Sequence, residues 1–182
     1  VFSDFNTTES NFKTSYKANF VALKDAKNNI LVDELYLSTQ YDIFQLDLGV
    51  KHNDILWEGL SSSNGNIVQS TNARSLLGYK LSIPTYTSLP FAKKWLSFKG
   101  NYSDYVFTDN RIVTDVRLHA KSIYFKYNLN STLDLITGLN HYVQWGGTHK
   151  PSTFKEYKRI VPGSYGGSTP NDCAQINVLG DH

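Results

Sequence analysis

The side chains in this sequence with the most chemical potential are its histidines, aspartates and tryptophans. His119, His141, His149 and His182 could ligate a metal, but they lie far apart and show none of the short spacings that bring two imidazoles to one ion. Cys173 is the single cysteine, which removes multi-thiolate zinc sites and any intrachain disulfide. Asp109, Asp115 and Asp134 could work as paired glycosidase acids only if folding brought two of them to one glycosidic bond. No nucleophile with its base accompanies them. The sequence therefore predicts a non-enzymatic chain without metal or cofactor, its histidines at strand ends and in loops.

Binding chemistry has better candidates. Ser61 to Arg74 is a polar loop, and Arg74 with Lys121 could meet acidic groups by charge-assisted hydrogen bonds, with His119 beside Lys121. An equal alternative is that Asn72 and Arg74 brace a loop. Trp57, Trp95 and Trp145, with the many tyrosines, suit either interfacial girdles and core packing or stacking on sugar faces; girdle or core is the expected fate. Trp145-Gly146-Gly147 and Ser164-Tyr165-Gly166-Gly167-Ser168 do not lie between a strand and a helix, so their glycines are turn residues and not a phosphate cradle. Asn6-Thr7-Thr8, Asn101-Tyr102-Ser103 and Asn130-Ser131-Thr132 match a glycosylation acceptor by chance composition, and in a bacterial barrel would be unmodified.

The elements that must position these residues read as strands. Phe12, Tyr16, Ala18, Phe20 and Ala22 share one parity while Lys13, Ser15, Lys17 and Asn19 share the other, a period of two. A turn over 24–29 then leads to Leu35, Leu37, Thr39 and Tyr41, and after Asp42 the pattern restarts at Phe44, Leu46, Leu48 and Val50. Further strands are expected at Tyr79 to Ile83, ending at Pro84, and over Trp95 to Phe107. The run from Arg111 to Leu129 is too long for one membrane-length strand, so a break is expected near His119 to Lys121. Leu133, Leu135, Leu139 and Val143 mark another strand, and the tail after Thr148 reads as loop with a short strand near Tyr157 to Val161.

Composition agrees. The chain has 182 residues, 40% of them hydrophobic, 14% aromatic and 19% charged, with 12 Tyr and 10 Phe, a β-forming palette at the scale of one domain. A net charge of +2 without a Lys/Arg block excludes nucleic acid as a partner, because that affinity comes from many cations releasing counterions. No run approaches the roughly 20 apolar residues of a membrane-spanning helix. The mean hydropathy of −0.37 still permits a β-barrel, whose strands are apolar on one face only. About eight strands of about ten residues, each with one apolar face, fit either a soluble sandwich or an outer-membrane barrel, and strand length favours the barrel.

Several stretches, taken in order, resemble the Wzi-like capsule-assembly family of Gram-negative outer membranes in the form common in Bacteroidetes. They are Asp33-Glu34-Leu35-Tyr36-Leu37; Leu60-Ser61-Ser62 through Ser70-Thr71-Asn72-Ala73-Arg74; Phe98-Lys99-Gly100-Asn101-Tyr102-Ser103-Asp104; Leu118-His119-Ala120-Lys121-Ser122; Gly138 through Gly147; and Gln175-Ile176-Asn177 with Leu179-Gly180-Asp181-His182. The similarity runs from Leu31 to His182. Arg74 and Ser75 stand where the family often has Pro, and Ala120 where it has Gly.

The resemblance implies an all-β fold: an antiparallel transmembrane β-barrel, with residues 1–182 a portion of one larger barrel domain in the outer membrane of a Gram-negative cell. It implies capsular or surface polysaccharide as the partner, with outer-membrane lipid and other envelope proteins around it. Glycan-binding or loop-bracing residues on the matched motifs would be Asn72, Arg74, His119, Lys121, Gln144 and Trp145. The alternatives are a soluble secreted β-sandwich lectin or adhesin and, behind it, a β-rich glycan hydrolase.

Overall fold

The computed structural model describes residues 1–5, 11–22, 30–53, 68, 73–92, 95–108, 114–147 and 152–163, and the backbone of 175–181. Nine strands follow one another in one antiparallel sheet in sequence order: β1 (Phe2–Ser3), β2 (Phe12–Ala22), β3 (Ile30–Tyr41), β4 (Phe44–Val50), β5 (Leu77–Ser88), β6 (Leu96–Val106), β7 (Val116–Asn128), β8 (Asp134–Gly146) and β9 (Gln175–Asp181). Among the described residues, one α-helix, α1 (Phe154–Ile160), lies between β8 and β9. The sheet is not closed on itself: β1 and β9 have no pairing with each other.

Paired residues of antiparallel strands share a face, so the register assigns the two faces. One carries Tyr16, Leu37, Leu48 and Tyr79 across four strands, with Ala18, Leu35, Val50 and Leu77 in the next row. The other carries Ser15, Ser38, Asp47 and Lys80. The apolar face is the exposed one, with Leu35, Leu37, Leu48, Leu77 and Leu81 all exposed, whereas Ser15, Ser38, Asp47, Ser82 and Ser103 on the polar face are buried. A water-soluble sheet does the reverse.

The polar face is held by its own network. The buried Ser38 hydroxyl donates to Asp47 at 2.5 Å, Lys51 ion-pairs with Asp47 at 2.8 Å, and Lys17 pairs with Glu34. In β3 an extra residue at Asp33 shifts the register between Asn19 and Phe20, a bulge that lets Asp33 accept from Asn19 on the polar face. At Gly49, φ is +117°, and a Cβ there would overlap the Leu35 carbonyl oxygen, so β3 and β4 come together only over glycine.

Four sequence expectations need correction. The strand that was to end at Pro84 continues to Ser88; Pro84, having no N–H to give, coincides with a shift of register between Ile83 and Thr87 instead of a terminus. The expected break near His119 to Lys121 is absent: β7 runs unbroken through those residues, paired on both sides, and begins only after Asp115, whose φ of 60° turns the chain into the strand. The expected short strand at Tyr157 to Val161 is the helix α1. Its signal is the capping box Thr153-x-x-Glu156, with the Glu156 amide donating to the Thr153 hydroxyl at 3.3 Å, followed by Tyr157, Ile160 and Val161 on one side. β9 falls in the tail expected to be loop, where its backbone pairs with β8. The turn at 24–29 lies outside the described residues.

Candidate functional site

The exposed apolar face changes character where β6, β7 and β8 approach their long connections. The row of Tyr16, Leu37, Leu48 and Tyr79 continues as Asp104, His119 and Val143, and the row of Leu46 and Leu81 as Tyr102, Lys121 and His141. Polar residues on a face that is otherwise greasy need a cover, and α1 supplies it. Gly146 and Gly147, with φ of 76° and 112°, leave the strand in the left-handed region, and the chain that follows returns as α1 over β6, β7 and β8. A Cβ at Gly146 would come within 2.6 Å of Ser152 Oγ. Val143, Trp145 and Ile160 form the buried contact, with Tyr157 and Val161 packed against it. Lys121 donates to the Val161 carbonyl, and the Arg117 guanidinium lies over the Trp145 ring.

Asp104 is the hub of this site. Its Oδ2 accepts from the Tyr79 hydroxyl at 2.5 Å and the Tyr157 hydroxyl at 2.7 Å, and its Oδ1 accepts from His119 Nδ1 at 2.9 Å. Tyr157 spends its proton on Asp104, so Tyr102 must be the donor in the Tyr102–Tyr157 contact. The Tyr157 phenol is pushed up from its ordinary value of 10.0 by burial first, and then by the hydrogen bonds of Tyr102, Tyr79 and Asp104. His119 is fully buried, its ring edge-on to Tyr102 and Tyr157 and 6.0 Å from the ring of His141. With Nδ1 turned to Asp104, His119 Nε2 points away from it. Among the described residues, that nitrogen, both nitrogens of His141, and Trp145 Nε1 have no hydrogen-bond partner.

A carboxylate orienting an imidazole is half of an acid–base triad. The other half is missing among the described residues, where no hydroxyl or thiol meets His119 Nε2. Nor do the described residues hold a group of three His, Cys, Asp or Glu suited to a metal ion. Asp115 and Asp134 stand at opposite ends of the β7–β8 hairpin, since Val116 pairs with Gly146 while Asn128 pairs with Asp134; they cannot flank one glycosidic bond. Asp109 lies outside the described residues. What the arrangement does is fasten α1 to the sheet through a shared hydrogen-bond network.

Of the residues expected from the sequence, His119, Lys121 and Trp145 come together here. Gln144 points to the opposite face, because its register partner Leu118 belongs to the polar side, and it is exposed. Arg74 is exposed just before β5, whereas Lys121 is turned under α1, where it donates to the Val161 carbonyl. Asn72 lies outside the described residues, as do Trp57, His149, Cys173 and His182. His119 and His141 are in mid-ladder and buried, not at strand ends or in loops, since each faces α1 instead of solvent. Asp104, Tyr79, Tyr102 and Tyr157 were not singled out from the sequence; the capping box at Thr153 was the available signal that a helix would cover them.

In comparisons with protein-family models, curated proteins and solved structures, no match is found for this chain.

Proposed function

We propose that this chain is part of an outer-membrane β-barrel that holds or assembles capsular or other surface polysaccharide on a Gram-negative cell, without chemical turnover. The observation that carries the membrane reading is the exposed apolar face on β2 to β8. It is bordered at one end by aromatic side chains: Phe12, Tyr41 and Phe44 form a cross-strand row, and Trp95 stacks on Tyr127 at 6.2 Å. Trp95 is 52% exposed and Tyr41 62%, a cost in water and a gain at a lipid interface.

Connection lengths support the same reading. At the aromatic end the connections are short: 42–43, 89–95 and 129–133. At the other end they include 51–76 and 147–174. Barrels of this kind have short periplasmic turns and long extracellular loops. Strands β2, β3, β5, β6, β7 and β8 have 11 to 13 residues, enough to cross a hydrocarbon core of about 30 Å when tilted. The glycan role is supported by the family resemblance and by the polar, hydrogen-bonding face opposite the lipid.

The soluble lectin or adhesin alternative is favoured by one observation, the packing of α1 on the apolar face. That packing reaches only the ends of β6, β7 and β8, leaving Leu37, Leu48 and Leu81 uncovered. Fractionation of the intact protein in its host decides between them. The barrel should appear in the outer membrane, need detergent, and shift its gel mobility on boiling, and its deletion should release polysaccharide from the cells into the medium. Recovery in the soluble fraction without detergent would defeat the membrane reading, and unchanged cell-bound polysaccharide the glycan role.

A further inference from the structure

The polar face of the sheet carries more cations than its carboxylates answer. Glu34 pairs with Lys17, Asp47 with Lys51 and Asp134 with Lys126. Lys80 on β5 and Lys99 on β6 point to the same face, and no described carboxylate bonds to either. Lys80 stands in register with Asp47, but that carboxylate is already taken by Lys51, Ser38 and Gln45. Both lysines are half-buried, so their ammonium groups have lost part of their water without gaining a counter-ion.

Aromatic rings stand beside Lys99, whose ammonium also feels the charge of Lys80. Past the register shift at Pro84, Tyr86 comes to this face, and Lys99 Nζ is 4.8 Å from its ring centre and 5.4 Å from that of Tyr124. Lys126 Nζ approaches the same Tyr86 ring at 5.9 Å. An ammonium without a carboxylate next to a tyrosine ring matches the two halves of an acidic sugar. The C–H face of the pyranose stacks on the ring, and the sugar carboxylate takes the ammonium in a charge-assisted hydrogen bond.

We infer that Lys80, Lys99, Tyr86 and Tyr124 form a subsite for a carboxylate-bearing sugar of an acidic polysaccharide on the polar face of the barrel. This rests on the glycan-holding function proposed above and specifies the chemical class of its ligand.

The test titrates the intact protein in detergent with polygalacturonate and with dextran of matched length, by calorimetry. Polygalacturonate should bind, more weakly as salt is added, and dextran should not. K80Q and K99Q should each weaken binding about 10-fold, one charge-assisted hydrogen bond in each case. K99R, which keeps the cation beside the tyrosines, should bind within about threefold of wild type and so exclude misfolding as the cause. K155Q, on the exposed side of α1, removes the same charge elsewhere and should change nothing. Equal binding of dextran overturns the acidic class, and undiminished binding by the K80Q/K99Q chain overturns the site. Heat-dependent gel mobility of the same samples reports the barrel separately. A chain that shows the shift but ignores polygalacturonate defeats this inference alone, whereas lysine-dependent binding without the shift defeats the membrane reading and leaves the subsite standing.

Discussion

Leu37→Arg separates a lipid-facing sheet from a water-facing one. Leu37 is on the exposed apolar face, 45% accessible, between Tyr16 and Leu48 in the cross-strand row. The aromatic border on its strand is Tyr41. At about 3.3 Å per residue and a tilt of about 40°, Leu37 lies roughly 10 Å above that border, close to the middle of an apolar band about 25 Å tall. An arginine at that depth should cost about 2–4 kcal/mol. The same substitution on a water-exposed surface should stay within about 0.5 kcal/mol. The assay is urea unfolding of the chain refolded into lipid vesicles, followed by tryptophan fluorescence. Leu133→Arg is the depth control: Leu133 is exposed in the connection 129–133, at the level of the border, and should cost about 0–1 kcal/mol. If Leu37→Arg unfolds within about 0.5 kcal/mol of wild type, or no more easily than Leu133→Arg, the assignment of this face to lipid is wrong.

Asp104→Asn leaves the Tyr79, Tyr157 and His119 donors with one acceptor oxygen where two now serve them, and should cost about 2–3 kcal/mol, read as lost hydrogen-exchange protection over 154–160. Tyr157 adds an alkaline dependence. Its folded-state phenol titrates above its ordinary value of 10.0, so the stability it contributes is complete below about pH 10 and falls as pH rises beyond that, when only the unfolded chain ionises. Tyr157→Phe should lose about 1 kcal/mol at neutral pH and decline less steeply above pH 10, measured by denaturant titration along a pH series; an unchanged alkaline slope would show that Tyr157 is not held neutral by its partners. Gly49→Ala should cost about 2 kcal/mol or more, because φ there is +117° and the Leu35 carbonyl occupies the space a Cβ needs; a chain with unaltered thermal unfolding would contradict that packing.

Local alternation was enough to read most strands. Phe12 to Ala22 was legible to the residue because side chains in a strand change face at every step, and that pattern is written into the neighbours of each position. The two-residue turn after Tyr41 was legible too, since Asp42 tolerates a φ of 52° where a branched residue would not. Where the pattern failed, the deciding partner was distant. A break near His119 to Lys121 is expected because the run from Arg111 to Leu129 is too long for one membrane-length strand; the strand begins only after Asp115, and it continues through these residues because Asp104 accepts from His119 and the Val161 carbonyl accepts from Lys121. Pro84 looked like a terminus because its missing N–H is a local fact, while the shift that absorbs it belongs to the pairing with β6.

The sequence by itself determined that the chain makes antiparallel strands with one greasy and one polar face, because that follows from the order of side chains along each strand. Only the tertiary structure decided which face is buried, since burial depends on what the register stacks beside each residue and not on its neighbours in the chain. It also decided that His119, His141, Asp104 and Tyr157 meet, across a separation of 53 residues between Asp104 and Tyr157. Such a contact exists only after Gly146 and Gly147 have turned the chain back and α1 has closed over the ends of β6, β7 and β8.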